Sequence, residues 1–489
     1  MMKKKVIVIG AGFAGISAGT GLASKGYEVT VLEKNATPGG RSRMFEAAGY
    51  NFDMGPSWYW MPDIFDDYFG KFGRRVADYY DLMRLDPSYR IFYDKNDVTN
   101  LPADVDEMYR LFESIEPGAG EKLKKFLKEA EYKYEVGMKE FVHKPSLSVI
   151  EYMDLRLMKS AMKLHMFQSF DTYTRKYFKN PRLLQMLEFP ILFLGGTGKK
   201  TPALYSLMNY GDIKLGTWYP RGGMYKIAEG MVKLAEELGV NFIYDAPVQN
   251  FTYRDSRINA AVANGKEYTA NYFVASADYH HIEQQLLKPE YRKYSEKYWD
   301  TRTMSPSSLI YYLGVDKKLP QLEHHNLLFD VPFAPHADAI YDHPRWPENP
   351  SAYVCMTSKY DHTVAPAGHE NLFVLIPVAA GLKDTPEIRA QYLEMMLDRI
   401  EKLTGQSLRG HIDFRRSYAH SDFAADYHAY KGNAYGLANT LLQTAFLKPS
   451  VKNPKLKNLY YAGQLTVPGP GVPPSIISGQ IVADLISKS

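Results

Sequence analysis

The stretch from Lys5 to Glu33 constrains the fold more than any other part of the chain. Val6-Ile7-Val8-Ile9 is a short buried-strand run that stops at glycine. Phe13 to Ser24 is small-residue helix, and Tyr27-Glu28-Val29-Thr30-Val31-Leu32 is a second strand. The three elements have the length of a strand–helix–strand crossover. Gly10 makes the turn out of the strand, Gly12 lets the backbone approach a pyrophosphate, and Gly15 lets the helix pack close to the sheet. Phe13 and Ala14 open the helix, whose free N–H groups and positive dipole suit phosphate. Glu33 stands 18 residues after Gly15, where a carboxylate accepts from ribose hydroxyls, and Lys34 follows it. The unit predicts a dinucleotide site on a doubly wound α/β sheet; the alternative is a glycine-rich turn with no ligand.

The same residues imitate a membrane signal. Lys3, Lys4 and Lys5 precede an uncharged run from Val6 to Ser24. Five glycines inside that run (Gly10, Gly12, Gly15, Gly19, Gly21) argue against a span, and no signal peptide is expected. No other stretch is long and apolar enough to cross a bilayer. The segment after Glu33 separates FAD from NAD. Pro38-Gly39-Gly40-Arg41-Ser42 can set a guanidinium and backbone N–H groups on the pyrophosphate. Phe52-Asp53-Met54-Gly55-Pro56-Ser57-Trp58 then extends the site in a way that an NAD site does not need. Gly55, Pro56 and Ser57 join the candidate cofactor residues.

Composition narrows the rest. A net charge of +4 from 59 basic and 55 acidic residues gives no argument for nucleic acid. Cys355 is the only cysteine, so no intrachain disulfide and no all-cysteine metal site exists, which fits a reducing compartment. Aromatics make up 14% of the 489 residues, with 38 tyrosines and 20 methionines, and suggest a large apolar surface. From Glu121 to Arg182 there are 14 Lys/Arg against 8 Asp/Glu. Leu157, Met158, Met162, Leu164, Met166 and Phe167 are interleaved with them, and Met186-Leu187 and Phe189 to Leu194 follow. A basic face beside a Met/Phe-rich face suits attachment to an anionic bilayer; the alternative is a helical cap with a solvated basic face.

Several motifs together resemble the carotenoid desaturases of the flavin amine oxidase superfamily. The glycine fingerprint, Glu33 and Gly39-Gly40-Arg41 are similar to the superfamily's opening. Trp218-Tyr219-Pro220-Arg221-Gly222-Gly223-Met224 looks like the "YPxGGM" segment of bacterial-type phytoene desaturases. Ala275-Ser276-Ala277-Asp278 resembles their "SNAD" segment, with Ser276 where Asn is usual. Tyr460 to Gln464, then Pro468-Gly469-Pro470-Gly471-Val472-Pro473-Pro474 and Ser478-Gly479, resemble the family's ending.

The resemblance implies a Rossmann-like FAD-binding domain with a β-meander, interrupted by a substrate domain with a mixed sheet and a helical cap. Expected bounds are 1–85, 215–290 and 455–489 for the first, and 86–214 and 291–454 for the second. The helical membrane-facing region is about 100–214. It implies FAD-dependent desaturation of a linear C40 or C30 isoprenoid such as phytoene, with hydride passing to flavin N5. Oxygen or a quinone is the expected acceptor, at the cytoplasmic face of a membrane. Phytoene and dehydrosqualene desaturases, carotenoid isomerases and retinol saturases share the pattern. A redox-neutral isomerase or a retinol saturase-like enzyme is therefore one alternative, and an amine oxidase-like enzyme on a polar substrate another.

In the family's pattern Val248 meets the adenine through its backbone; otherwise it is a core valine. Gly463, Gln464, Val472 and Pro473 fall at the flavin end. Gln464 departs from the Asp that many superfamily members carry. The helix expected over Ser475 to Leu485 would point its positive end at the flavin. Trp58, Tyr59, Arg221 and Asp278 are candidates for the flavin neighbourhood, and no residue is assigned as proton acceptor. No Ser-His-Asp spacing, H-E-x-x-H or P-loop occurs, and no metal site is expected. His280-His281 and His324-His325 are adjacent pairs, read as solvated because neighbouring side chains diverge.

Overall fold

The computed structural model describes residues 3–148, 151, 164–166, 168–192, 196–440 and 443–489. Strands Lys5–Ile9 and Glu28–Leu32 pair in parallel, with Val6 beside Val29 and Ile9 beside Leu32. They are the middle of a five-stranded sheet that runs Leu459–Tyr461, Tyr272–Ala275, Lys5–Ile9, Glu28–Leu32, Asn241–Ile243, parallel throughout. Both faces of this sheet are covered, which is why Val6–Ile9 and Tyr272–Ala275 read as unbroken apolar runs. Val6, Val8 and Val274 face the helices Phe13–Ala23, Tyr225–Glu237 and Val472–Ser487. Ile7, Ile9 and Phe273 alternate to the other face and meet Phe251, Ile258 and Ala261 of a β-meander.

The meander has three strands, Val248–Arg254, Arg257–Ala263 and Lys266–Thr269. Its hairpins turn at Asp255-Ser256 (φ 50° and 55°) and Asn264-Gly265 (φ 50° and 72°). Paired positive φ is the turn geometry that matches strand twist, and Asn, Asp and Gly tolerate it best.

A second sheet has seven strands in the order Ile412–Tyr418, Ser307–Val315, Glu370–Val378, Ala352–Cys355, His325–Leu328, Tyr89–Asp94, Asp97–Leu101. The mixed sheet expected in the substrate domain thus takes most of its strands from the second half of the chain and one hairpin from the first quarter. Tyr89–Asp94 joins it by the sheet's parallel pairing, Leu327 beside Ile91. Every residue of Ser307–Val315 is buried. Leu309, Tyr311 and Leu313 pack on the helix Pro386–Thr404 through Met396 and Ile400. Tyr312, on the opposite face, donates to Met54 O at 2.8 Å and ties this sheet to the hairpin Met44–Ala47/Tyr50–Asp53.

The region around 100–214 is mostly helical, including Val105–Ile115, Ala119–Val136 and Pro181–Leu192. Most of its large apolar side chains among the described residues turn inward, with Tyr132 and Leu147 exposed. Leu164, Met186, Leu187 and Phe189 are buried in the core, so they form no outward face. Leu157, Met158, Met162, Phe167, Phe193 and Leu194 lie outside the described residues. Among the described residues, no helix is long and apolar enough to cross a membrane.

Candidate functional site

A cavity of about 450 Å³ opens beyond the carboxyl ends of the parallel strands and continues to the seven-stranded sheet. This is where ligands bind in open α/β sheets, and the volume suits a cofactor or substrate. Every predicted cofactor residue except Gly15 lines it: Gly10, Gly12, Phe13, Ala14, Glu33, Lys34, Gly40, Arg41, Gly55, Pro56, Ser57, Val248, Gly463, Gln464, Val472 and Pro473. Gly15 acts behind the wall. A Cβ there would sit 2.0 Å from Gly10 O, so only glycine lets the helix approach the turn. A Cβ on Gly12 would meet nothing within 4 Å, and the vacant side-chain position faces the cavity.

Glu33 fastens the fingerprint. Its carboxylate accepts from Ala11 N–H at 2.7 Å and from Asn35 N–H at 2.9 Å, and the residue is 4% exposed. Asn35 Nδ2 also donates to Oε1 at 2.9 Å, so Oε2, with one bond, is the oxygen that keeps a lone pair for a hydroxyl. Lys34 Nζ donates to Ala425 O at 2.8 Å, and partial burial lowers its pKa. Gly55 sits against Arg41, since a Cβ there would lie 2.4 Å from Arg41 O. Val248 is 9% exposed, and a register shift follows it in the meander.

The cavity fits a dinucleotide by its unsatisfied polar atoms. Arg41 Nε is buried with no hydrogen-bond partner, and Nη2 reaches only Asn433 O at 3.5 Å. Burial lowers the Arg41 pKa while the nearby Asp278 carboxylate supports its charge. Ser42 Oγ and Ser276 Oγ are also buried and unpartnered. A guanidinium left short of acceptors beside two helix N-termini matches a pyrophosphate.

The second helix N-terminus comes from the far end of the chain. Val472–Ser487, with Gly471 (φ 113°) as its N-cap, begins three residues before the expected start. Ser17 Oγ donates to Ile476 O at 2.7 Å, and a Cβ on Gly479 would lie 2.3 Å from Ala14 O. The crossing of this helix with Phe13–Ala23 is thus close enough to need glycine. Gly463 (φ 119°) donates its N–H to Ser478 Oγ at 2.9 Å. Gln464 Nε2 donates to Asn433 Oδ1 at 3.2 Å, which anchors the residue that departs from the superfamily pattern.

Beyond the dinucleotide end the walls are apolar, with Trp58, Trp60, Met61, Phe189, Leu327 and Phe329. Of the four proposed flavin neighbours, Trp58 and Asp278 line the cavity. Tyr59 and Arg221 do not. Tyr59 is buried with its hydroxyl 2.9 Å from Tyr80 Oη, and Arg221 forms a half-exposed ion pair with Asp81 at 2.9 Å. The Trp218–Met224 segment serves as a fastening. Gly222 N–H donates to Asp361 at 2.6 Å, and Asp53 accepts from Met224 and Tyr225 N–H at 2.8 and 3.0 Å, capping the helix Tyr225–Glu237. Burial pushes the Asp53 carboxyl up to about 6 despite those two bonds.

The reading of the histidine pairs as solvated is wrong. His324 and His325 are both 0% exposed. Burial pushes His324 down to about 3 and His325 well below the usual histidine range, so both rings are neutral. Strand register sets His325 directly opposite Cys355, and nitrogen and sulfur atoms of His324, His325 and Cys355 lie within 4.8 Å of one another. The other pair is part-buried. His280 Nε2 is 2.9 Å from Glu296, and the His281 ring stacks on His428 at 3.9 Å. Tyr353, on the cavity wall, brings its Oη to 2.6 Å from His325 Nδ1 and 3.0 Å from Ser57 Oγ. Sequence reasoning misses this junction, because the contact follows from strand register.

Fold and site together define a flavin-dependent oxidoreductase. The family model for flavin containing amine oxidoreductases matches residues 13–487. The chain is 42% identical to a carotenoid 3,4-desaturase of Haloarcula japonica, over 98% of this chain and 97% of that one. It is 31% identical to a zeta-carotene-forming phytoene desaturase of Myxococcus xanthus, over 98% of this chain and 93% of that one. Among solved structures, an oxidoreductase from Methanosarcina mazei superposes with a TM-score of 0.64 at 14% identity, covering 99% of this chain and 100% of that one. Putrescine oxidase bound to putrescine gives 0.60 at 12% identity, with 100% of each chain covered. The chain belongs to the carotenoid desaturases of the flavin containing amine oxidoreductase family, and its cofactor is FAD.

Proposed function

We propose that the chain desaturates a linear C40 or C30 isoprenoid in carotenoid biosynthesis. The observation that carries this reading is the two-part cavity, unsatisfied and polar at one end, aromatic and apolar at the other. When bound, the flavin supplies a two-electron acceptor for hydride. Arg41 and the first turns of Phe13–Ala23 and Val472–Ser487 would hold the pyrophosphate and the flavin's negative end, and Glu33 the ribose. Trp58, Trp60 and Phe189 would align the hydrocarbon and exclude water, since a chain without polar groups is selected by shape. In this reading 1–85, 215–290 and 455–489 bind the cofactor, and 86–214 and 291–454 present the substrate.

A substrate dissolved in lipid needs a membrane surface for delivery. The basic excess of Glu121 to Arg182 supports peripheral attachment there, with a quinone or oxygen as final acceptor. The test is the pigment profile of a host that makes only phytoene. New absorption bands in the visible are expected. Unchanged phytoene in that host, together with isomerisation of poly-cis lycopene supplied to the purified protein, would replace desaturase by isomerase. A second reading is favoured by the 42% identity to the 3,4-desaturase, namely removal of hydrogen near the end of an already conjugated C40 chain. A host that accumulates lycopene separates the two, because only this second activity then extends the conjugation.

A further inference from the structure

Desaturation removes two hydrogens, and the proposed function accounts for one of them. Once hydride leaves an allylic carbon, the carbon chain carries positive charge and the neighbouring C–H becomes a strong acid. A weak but well-placed base then suffices. Tyr353 is a polar side chain on the cavity wall, next to Ser57 of the candidate cofactor residues. Its strand, Ala352–Cys355, pairs with His325–Leu328 and so brings the Tyr353 hydroxyl to His325 Nδ1 at 2.6 Å. The His325 ring lies flat on Trp58, 3.9 Å between centroids and 10° between planes. His325 Nε2 is buried without a partner.

We propose that Tyr353 and His325 together form the proton acceptor of the reaction, an inference that rests on the desaturase reading of the cavity. The C–H electron pair becomes the new carbon–carbon π bond. The released proton passes to Tyr353 Oη while the phenol's own proton passes to His325 Nδ1. The substrate thus loses one hydride to the flavin and one proton to the dyad, and the imidazolium carries the charge. The Trp58 face stabilises that cation. At rest the Tyr353 hydroxyl donates to Ser57 Oγ at 3.0 Å, and its O–H turns to His325 Nδ1, 2.6 Å away, for the transfer. After product leaves, the proton returns through the phenol to water entering the cavity. A neutral resting dyad keeps this wall compatible with a hydrocarbon, which a carboxylate would not.

The experiment compares FAD-loaded wild type, Tyr353→Phe and His325→Gln in anaerobic single turnovers with phytoene in liposomes. Each variant should slow the step by about 100-fold or more, and the double variant should be no slower than either, as expected of a unit. FAD content and phytoene binding should stay within about twofold. Deuterium on the carbon that loses the proton should give an isotope effect near unity in wild type and about 3 or more in Tyr353→Phe. Deuterium on the hydride carbon should show no such rise, a distinction that a merely structural role would not produce. Nitrogen NMR of histidine-labelled, cofactor-free protein gives an independent readout: one Nδ1 resonance with an acceptor shift, lost in Tyr353→Phe. Wild type that desaturates while Tyr353→Phe keeps its rate within about threefold overturns the dyad alone. Wild type inactive on every carotenoid offered overturns the desaturase reading and the dyad with it. A stoichiometric transition metal that disappears in His325→Gln would also overturn it, because His325 would then be a ligand beside His324 and Cys355.

Discussion

The two ends of the cavity are built by different means. The dinucleotide end is made of backbone: glycines that admit close approach, two helix starts, and few side chains. The hydrocarbon end is made of side chains from widely separated strands and helices. Backbone recognition has no tolerance for an added carbon where the chain already touches itself. Side-chain recognition fails gradually, by volume. The same substitution logic should therefore give sharp loss at one end and graded loss at the other.

Gly15→Val breaks the comparison hardest. A Cβ 2.0 Å from Gly10 O forces the helix off the sheet, at a cost upwards of about 3 kcal/mol, so little soluble FAD-loaded protein is expected on expression. Phe189→Ala leaves a hole in the apolar wall from a side chain 4% exposed, for about 3 kcal/mol by denaturant titration. FAD content should stay near wild type while turnover of carotenoid falls. Gly12→Val sharpens the contrast with Gly15. Nothing lies within 4 Å of its Cβ, so the cofactor-free protein should melt as wild type does. FAD affinity should nevertheless drop about 100-fold, worth about 2.7 kcal/mol. Retained FAD occupancy would mean that the pyrophosphate does not pass Gly12.

The smallest effect lies at Asp53, outside both ends, where it caps the helix Tyr225–Glu237. Its folded pKa of about 6 exceeds the usual 3.8, so the folded state favours the protonated form. Stability from this group is full at low pH and is lost as pH rises through about 6. Between pH 5 and 7 the loss should be about 1 kcal/mol, and Asp53→Asn should remove that slope from the stability profile. An identical slope in the variant would assign the titration elsewhere.

The dinucleotide end was legible in the sequence because its requirements are local. Gly10, Gly12 and Gly15 sit within six positions, and a glycine needed for contact or conformation leaves its mark in the residue itself. The Pro473-Pro474 pair likewise announced a helix, missed only by its first turn. The hydrocarbon end was legible as composition and not as geometry. Phe189 looked like part of an outward apolar face, since a helix presents the same pattern to a core or to a bilayer. The hairpin Tyr89–Leu101 gave no hint that it would pair in parallel with His325–Leu328, because no local signal encodes a crossover of that length. The contact of Tyr353 with His325 was invisible for the same reason, and adjacency of His324 and His325 misled.

The crossing of Phe13–Ala23 with Val472–Ser487 also sets a schedule. Ser17 and Ile476 are 459 residues apart. At about 5–20 residues per second, roughly 20–90 s of synthesis separate the first wall of the cofactor site from the last. During that interval the nascent chain holds Lys5–Ile9 without its eventual neighbour Tyr272–Ala275, and then without Leu459–Tyr461 beyond it. The complete cofactor site exists only after the last segment has been made, because Val472–Ser487 supplies one of its walls. Supply of flavin after translation, and protection of an open apolar sheet before it, then decide how much of the protein becomes active.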